Sequence, residues 1–266
     1  MALVAALLAP KLSFSYPVSM DIGAFAIDDY TDNGGGMFDL NYAIAGGQNF
    51  FWSAQADVPP YAGGNTSTPT LAVDARNTQV TKAFLTNTYS GYGNREYADF
   101  VYFGGHGIYG QMFLGNYPGY GYVTPADLNL GVGYNRWFMA SSCSLFNGGA
   151  PASVWQPAFK GLKAMLGFKS YVFDNNLSWD LYNDFWLNWT SREKSLMTSF
   201  FDSEANYGYK HLYPTKGLEP GCLSAQYSDA FWDYCREFFK LAPHNYTKAI
   251  ANSGYYYSRV IGSPQY

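Results

Sequence analysis

Two short stretches place reactive side chains directly after apolar runs. His106 lies in "VYFGGHG" (101–107) and Cys143 in "WFMASSCS" (137–144), 37 positions further on. A thiol is a weak nucleophile until it loses its proton. A nearby imidazole can take that proton, or hold the thiolate as its imidazolium partner. The backbone N–H of Gly107 carries no obstructing side chain, and with the N–H of Cys143 it can bind a developing oxyanion. Gly104 and Gly105 allow a sharp exit from a strand and close approach of a substrate backbone. Each residue alone has a plainer reading, a hydrogen-bonded structural histidine and a small apolar core residue. The pair is more specific, because both members stand at the end of a buried-looking run.

Other candidates are weaker. Ser141, Ser142 and Ser144 flank the cysteine, but thiolate chemistry with one histidine is simpler. His211 and His244 fall in proline-containing loops and read as structural or surface histidines. There is no CxxC and no histidine at ligand spacing, so no metal site and no cofactor is implied. Cys222 and Cys235, 13 residues apart, can form one bridge in an oxidising compartment, which leaves Cys143 unpaired. Sequons at Asn65, Asn176, Asn188 and Asn245 are only slightly more than chance supplies.

The elements that must position the pair follow from hydrophobic pattern. "MDIGAFAIDDY" (20–30) reads as a first strand ending in Asp28 and Asp29. Turn-forming clusters fill the stretch from 31 to 69. Residues 71–88 have apolar positions near helical spacing and predict a helix. "ADFVYF" (98–103) and "WFMA" (137–140) are the continuous apolar runs expected of strands buried on both faces. A loop separates them. "WQPAFKGLKAML" (155–166) predicts a helix and "GFKSYVFDNN" (167–176) a strand ending at Asp174. Long helical patterns cover 177–204 and 228–241, and the tail from 254 reads as an edge strand or strap. Short buried strands alternating with helices argue for one α/β domain over 1–266, built on a mostly parallel sheet. In such sheets functional residues gather beyond the C-terminal strand ends. His106, Cys143, Asp28, Asp29 and Asp174 all sit at such ends.

Composition narrows the classes. Of the 266 residues 48% are hydrophobic, enough for a sizeable core and against a disordered chain. The net charge is −4 with no Lys/Arg cluster, which argues against a nucleic-acid partner. No apolar run reaches the length of a membrane span. "ALVAALL" (2–8) resembles the centre of a secretory signal but equally suits a first strand or helix packed on the domain; the second is favoured, and with it, slightly, the cytoplasm. Aromatics reach 20%, with 25 tyrosines. Packing with a polar tip to spare explains most of them, and an aromatic cleft is the sharper alternative.

"FVYFGGHG" and then "WFMASSCS" resemble the His-Gly and Cys motifs of the caspase-like cysteine peptidases, the group of caspases, legumains, gingipains and metacaspases. "WQPAFKGLKAMLGFKSYVFD" is similar to the segment after the Cys motif in a poorly characterised family of caspase-like domains. The likeness covers roughly residues 98–205. It implies a caspase-like three-layer sandwich, with a mostly parallel sheet and helices on both faces. It further implies His106 as base or imidazolium partner, Cys143 as nucleophile, and Gly107 with Cys143 as oxyanion hole. The residues before the nucleophile, Ala-Ser-Ser, depart from the Ala-Cys endings of many such peptidases. A pocket near the strand ends selects one substrate side chain in that group. Asp28, Asp29 and Asp174 are candidates to line it, and a carboxylate there suits Arg or Lys. Three functions stay open. One is an endopeptidase forming a thioester acyl-enzyme. Another is a cysteine enzyme performing acyl transfer, cyclisation or rearrangement on a small peptide or metabolite in an aromatic pocket. The last is a non-catalytic binding domain. The expected partner is a peptide, a protein or a small peptide-like metabolite.

Overall fold

The computed structural model describes residues 20–30, 37–61, 68–86, 98–115, 121–131, 135–147, 150–172, 176, 178–208, 217–226, 233–237, 239 and 253–261. The early strands are β1 (Asp21–Ala26), β2 (Thr70–Arg76) and β3 (Phe100–Gly104). Three short strands come next, β4 (Gly107–Ile108), β5 (Gln111–Phe113) and β6 (Tyr122–Val123). Then come β7 (Trp137–Ser141), β8 (Ala164–Phe168), β9 (Pro220–Gln226) and β10 (Ser253–Ser258). The helices are α1 (Ala43–Tyr61), α2 (Lys82–Thr86), α3 (Pro151–Trp155), α4 (Ser178–Thr190) and α5 (Leu196–Ser203).

Seven strands form one sheet in the order β10-β9-β8-β7-β3-β1-β2. The five from β2 to β8 are parallel, while β9 runs antiparallel to β8 and β10 to β9. The protein is thus an α/β sandwich on a mostly parallel sheet. Every residue of β3 and β8 is buried, as runs covered on both faces require.

Strand parity assigns the two layers. Phe100, Tyr102, Trp137 and Phe168 point to the face covered by α1, α4 and α5. There Phe50, Phe185, Trp186 and Trp189 close on the first three and Phe200 on Phe168, in edge-to-face contacts apart from the stacked Phe50–Tyr102 pair. Much of the aromatic content is spent in this layer. Phe25, Phe103 and Gly167 point the other way, toward α2 (through Phe84) and the Phe146–Trp155 pair at α3. Trp186 donates its Nε1–H to Phe50 O at 3.0 Å, which satisfies the one polar atom its burial carries inward.

Several sequence expectations need correcting. Residues 71–88 are not a helix: 70–76 form an edge strand in which the alternate residues Val73 and Ala75 are buried, before a 3-10 turn and the short α2. The apolar spacing that suggests a helix there joins residues of two different elements. The turn-rich stretch conceals α1, whose Gly46 and Gly47 lie against Tyr102 and Ala24. Residues 155–166 are not a helix either. Helical geometry ends at Ala158, and the strand begins at Ala164, upstream of its expected position. The stretch 177–204 is two helices, broken where Glu193 takes φ 52° and Ser195 caps α5 by accepting the Thr198 N–H. In 228–241 the described part is a 3-10 turn at Tyr234–Arg236. The tail supplies β10 at the sheet edge, as expected. The N-terminal apolar segment lies outside the described residues.

Cys222 and Cys235 are joined in a disulfide and Cys143 is free. The bridge ties β9 to the turn carrying Glu237, whose carboxylate meets Lys163 Nζ at 3.2 Å with both side chains fully buried. Among the described residues no helix is long and apolar enough to cross a membrane.

Candidate active site

Register fixes the two candidate groups relative to each other. Gly104, the last residue of β3, pairs with Ser141, the last of β7. His106 and Cys143 therefore each lie two residues past the same rung of adjacent parallel strands. Both line one cavity of about 500 Å³ at the C-terminal edge of the sheet. The neighbouring pair β1/β3 is where the strand order reverses, since β1 is flanked by β2 on one side and by β3 on the other. A crevice beyond strand ends beside such a reversal is the usual ligand position in open α/β sheets.

His106 is held from three directions. Its backbone N–H donates to the Tyr30 hydroxyl at 2.7 Å, and that hydroxyl donates to Phe113 O at 3.1 Å. The Tyr30 ring lies 4.5 Å from the imidazole, centre to centre. The imidazole Nε2 is 2.7 Å from Phe38 O. A carbonyl oxygen only accepts, so Nε2 carries the proton. In the neutral ring the lone pair is then on Nδ1, and Nδ1 is the basic atom. Phe38 O sets the tautomer and the ring orientation, the part played by the third group in nucleophile–base–orienter arrangements. The segment carrying Phe38 is pinned in turn: Tyr30 N–H donates to the Asp39 carboxylate at 2.8 Å and Leu40 N–H to Asp28 O at 2.7 Å. Burial raises the Tyr30 phenol far above its usual range, so it remains a neutral hydroxyl. Neither Tyr30 nor Phe38 is evident as a site residue from sequence. Tyr30 is one tyrosine among 25, and Phe38 acts through its main chain.

The Cys143 thiol donates to Val172 O at 3.1 Å, and Val172 N–H approaches the sulfur at 3.4 Å. Burial pushes this thiol above its ordinary value, opposed by the Val172 backbone contact. The resting cysteine is a protonated thiol. Among the described residues no hydrogen bond joins it to His106, so its hydrogen must swing from Val172 O toward the imidazole before transfer.

The glycines have a sharper role than strand exit. A Cβ on Gly107 would lie 2.2 Å from Ser142 Oγ and 2.6 Å from Cys143 O. On Gly105 it would lie 2.7 Å from the Tyr30 hydroxyl. Their small size lets the His loop press against the Cys loop and Tyr30. Gly107 pairs with Met112 in a hairpin where the next pair, His106 and Phe113, is bonded through Phe113 N–H to His106 O at 2.9 Å. Antiparallel pairs alternate, so the Gly107 N–H points off the hairpin and is not consumed by it. The hairpin turns at Tyr109 and Gly110, both at positive φ, as a two-residue type I′ turn demands. Gly107→Ala should lower the unfolding free energy by about 1–3 kcal/mol through overpacking. Urea denaturation measures this, and an unchanged midpoint would show that the two loops separate freely.

The acidic candidates fare differently. The backbone N–H groups of Asp28 and Asp29 both donate to Asn77 Oδ1, at 2.9 and 3.1 Å, where the chain leaves β1. Neither residue is among those lining the cavity. The strand expected to end at Asp174 ends at Phe168, and Asp174 lies outside the described residues, as do His211 and His244. Asn188, one of the sequon asparagines, is buried in α4 against Asp184. Among the described residues no group of three or more His, Cys, Asp or Glu could hold a metal ion.

A family model described as a domain of unknown function, DUF6345, matches residues 84–182, the segment that contains both His106 and Cys143. No curated protein matches the sequence. Among solved structures, the chain is similar to an inactive zymogen of a C11 protease from Parabacteroides distasonis, with 11% sequence identity and a TM-score of 0.38. The alignment covers 79% of this chain and 62% of that one.

Proposed function

We propose that the protein is a caspase-like cysteine hydrolase that cleaves peptide bonds through Cys143 and His106. The observation that carries this reading is the shared rung of β3 and β7, which sets an imidazole of defined tautomer and a free thiol in one cavity. The Cys143 proton passes to His106 Nδ1 as the sulfur attacks the substrate carbonyl carbon. The oxygen takes up the electron pair and is stabilised by the Gly107 and Cys143 N–H groups. As the tetrahedral species collapses, the imidazolium gives its proton to the leaving amine, and a thioester remains on Cys143. Water then attacks the thioester, with its proton taken by Nδ1. The acid departs and the thiol is restored. With a buried, protonated thiol at rest, His106 acts as a general base and not as half of a preformed ion pair.

Trapping the intermediate tests this directly. The protein is mixed with an activated peptide ester, quenched in acid and weighed intact. One acyl group should be found on Cys143, removable by neutral hydroxylamine and missing from Cys143→Ala. Absence of the adduct, with Cys143 still open to alkylation, would favour a non-catalytic binding domain.

A further inference from the structure

The lining of the cavity bears on which substrate it admits. Met37, Leu40, Tyr102, Ile108, Tyr171 and Val172 surround His106 and Cys143, with glycines between them. Among the described residues no Asp, Glu, Lys or Arg lines it. Several of the polar side-chain atoms beside it are already partnered. Tyr182 OH donates to Tyr102 OH at 3.0 Å, and the Tyr182 hydroxyl also bonds Ser141, so the hydroxyls at the cavity floor are tied to one another. The Cys143 thiol and His106 Nε2 are bonded to main-chain carbonyls. A charged side chain entering this space would lose water and find no counter-charge among the described residues. An apolar one would lose nothing and bury its surface.

We propose that the cavity selects a large uncharged side chain, aromatic or branched aliphatic, on the residue whose carbonyl Cys143 attacks. This rests on the hydrolase reading and replaces the selection of Arg or Lys that carboxylates at strand ends would give. A hydrophobic pocket of this kind discriminates through desolvation, and a preference on the order of 10²-fold is expected.

Peptidyl acyloxymethyl ketones carrying Phe, Leu, Lys or Asp beside the reactive ketone provide the test, read as the rate of labelling of Cys143 by intact mass. A separate measurement takes labelled tetrapeptides ending in the same four residues and tracks their binding to the Cys143→Ala protein by fluorescence anisotropy. Phe and Leu should lead in both, by about 10²-fold in labelling. Labelling by Lys or Asp as fast as by Phe would overturn the apolar pocket and leave the hydrolase standing. Failure of every ketone, with Phe still preferred in binding, would overturn the hydrolase and leave the pocket. Failure of both would remove both.

Discussion

His106→Ala should lower turnover of a peptide amide by about 10²–10⁴-fold, the range a positioned general base contributes. Its effect on the resting thiol should be small. Cys143 is held by Val172 and raised by burial, so its alkylation by iodoacetamide should rise only at alkaline pH, with nearly the same profile in wild type and variant. The two measurements separate a base that acts during the reaction from an imidazolium that stores the thiolate beforehand. Retained turnover would exclude His106 from the chemistry. A thiol titrating near neutrality in wild type, and shifted up in the variant, would instead establish a preformed pair. Alanine also deletes the ring that packs on Tyr30. His106→Gln covers that objection: its amide can still donate to Phe38 O but cannot take a proton at neutral pH. It should therefore lose turnover as alanine does.

How the pair became visible in the sequence is specific to these strands. β3 and β7 are buried on both faces, so each reads as an unbroken apolar run, and the run's end marks the sheet edge. His106 and Cys143 stand the same distance past that edge, which makes a spatial relation legible from local pattern. The groups that support them are not legible in this way. Phe38 O and Val172 O are main-chain atoms, and any residue type could present them. Tyr30 works from the loop just past β1, 76 positions before His106.

The misread elements share a physical cause, tertiary contacts that outweigh local preference. Helix α1 contains Gly46 and Gly47, which weaken it as an isolated helix. A side chain at Gly46 would stand 2.7 Å from the Tyr102 hydroxyl, so close packing on the sheet requires the residue that local pattern reads as a turn. Strand β8 begins one residue after Lys163, a fully buried lysine. Its charge is met by Glu237, 74 positions later, and its Nζ lies 5.1 Å from the Trp137 ring centre. A lysine inside an apolar run suggests the outer face of a helix until that partner is known. The acidic residues at the end of β1 have a local task that the sequence pattern does not show. Asp28 and Asp29 serve the turn after β1, where Asn77 binds their amides, and neither is among the described residues that line the cavity.

Glu204 should make the protein lose stability steeply between pH 4.5 and about 8. Its side chain is buried at the C-terminal end of α5, and no cation is bonded to it among the described residues. Desolvation raises its carboxyl from 4.5 to about 8. The folded protein then binds this proton more tightly than the unfolded chain does. The contribution to stability is complete below pH 4.5, falls as pH rises, and is gone once pH passes about 8. At about 1.4 kcal/mol per unit, the change across that window is on the order of 5 kcal/mol. Glu204→Gln keeps the shape and removes the titration. Urea unfolding at pH 5 and pH 8.5 should show wild type weakening far more than the variant, while every other group contributes alike to both. Parallel losses would mean that the carboxyl is ionised and paired in the folded protein. The location gives the result a bearing on the site. Tyr182 lies close enough to Glu204 for a negative charge there to disfavour its ionisation further, and the same hydroxyl bonds both Tyr102 and Ser141 at the cavity floor. Keeping Glu204 neutral therefore keeps charge away from the underside of the pocket.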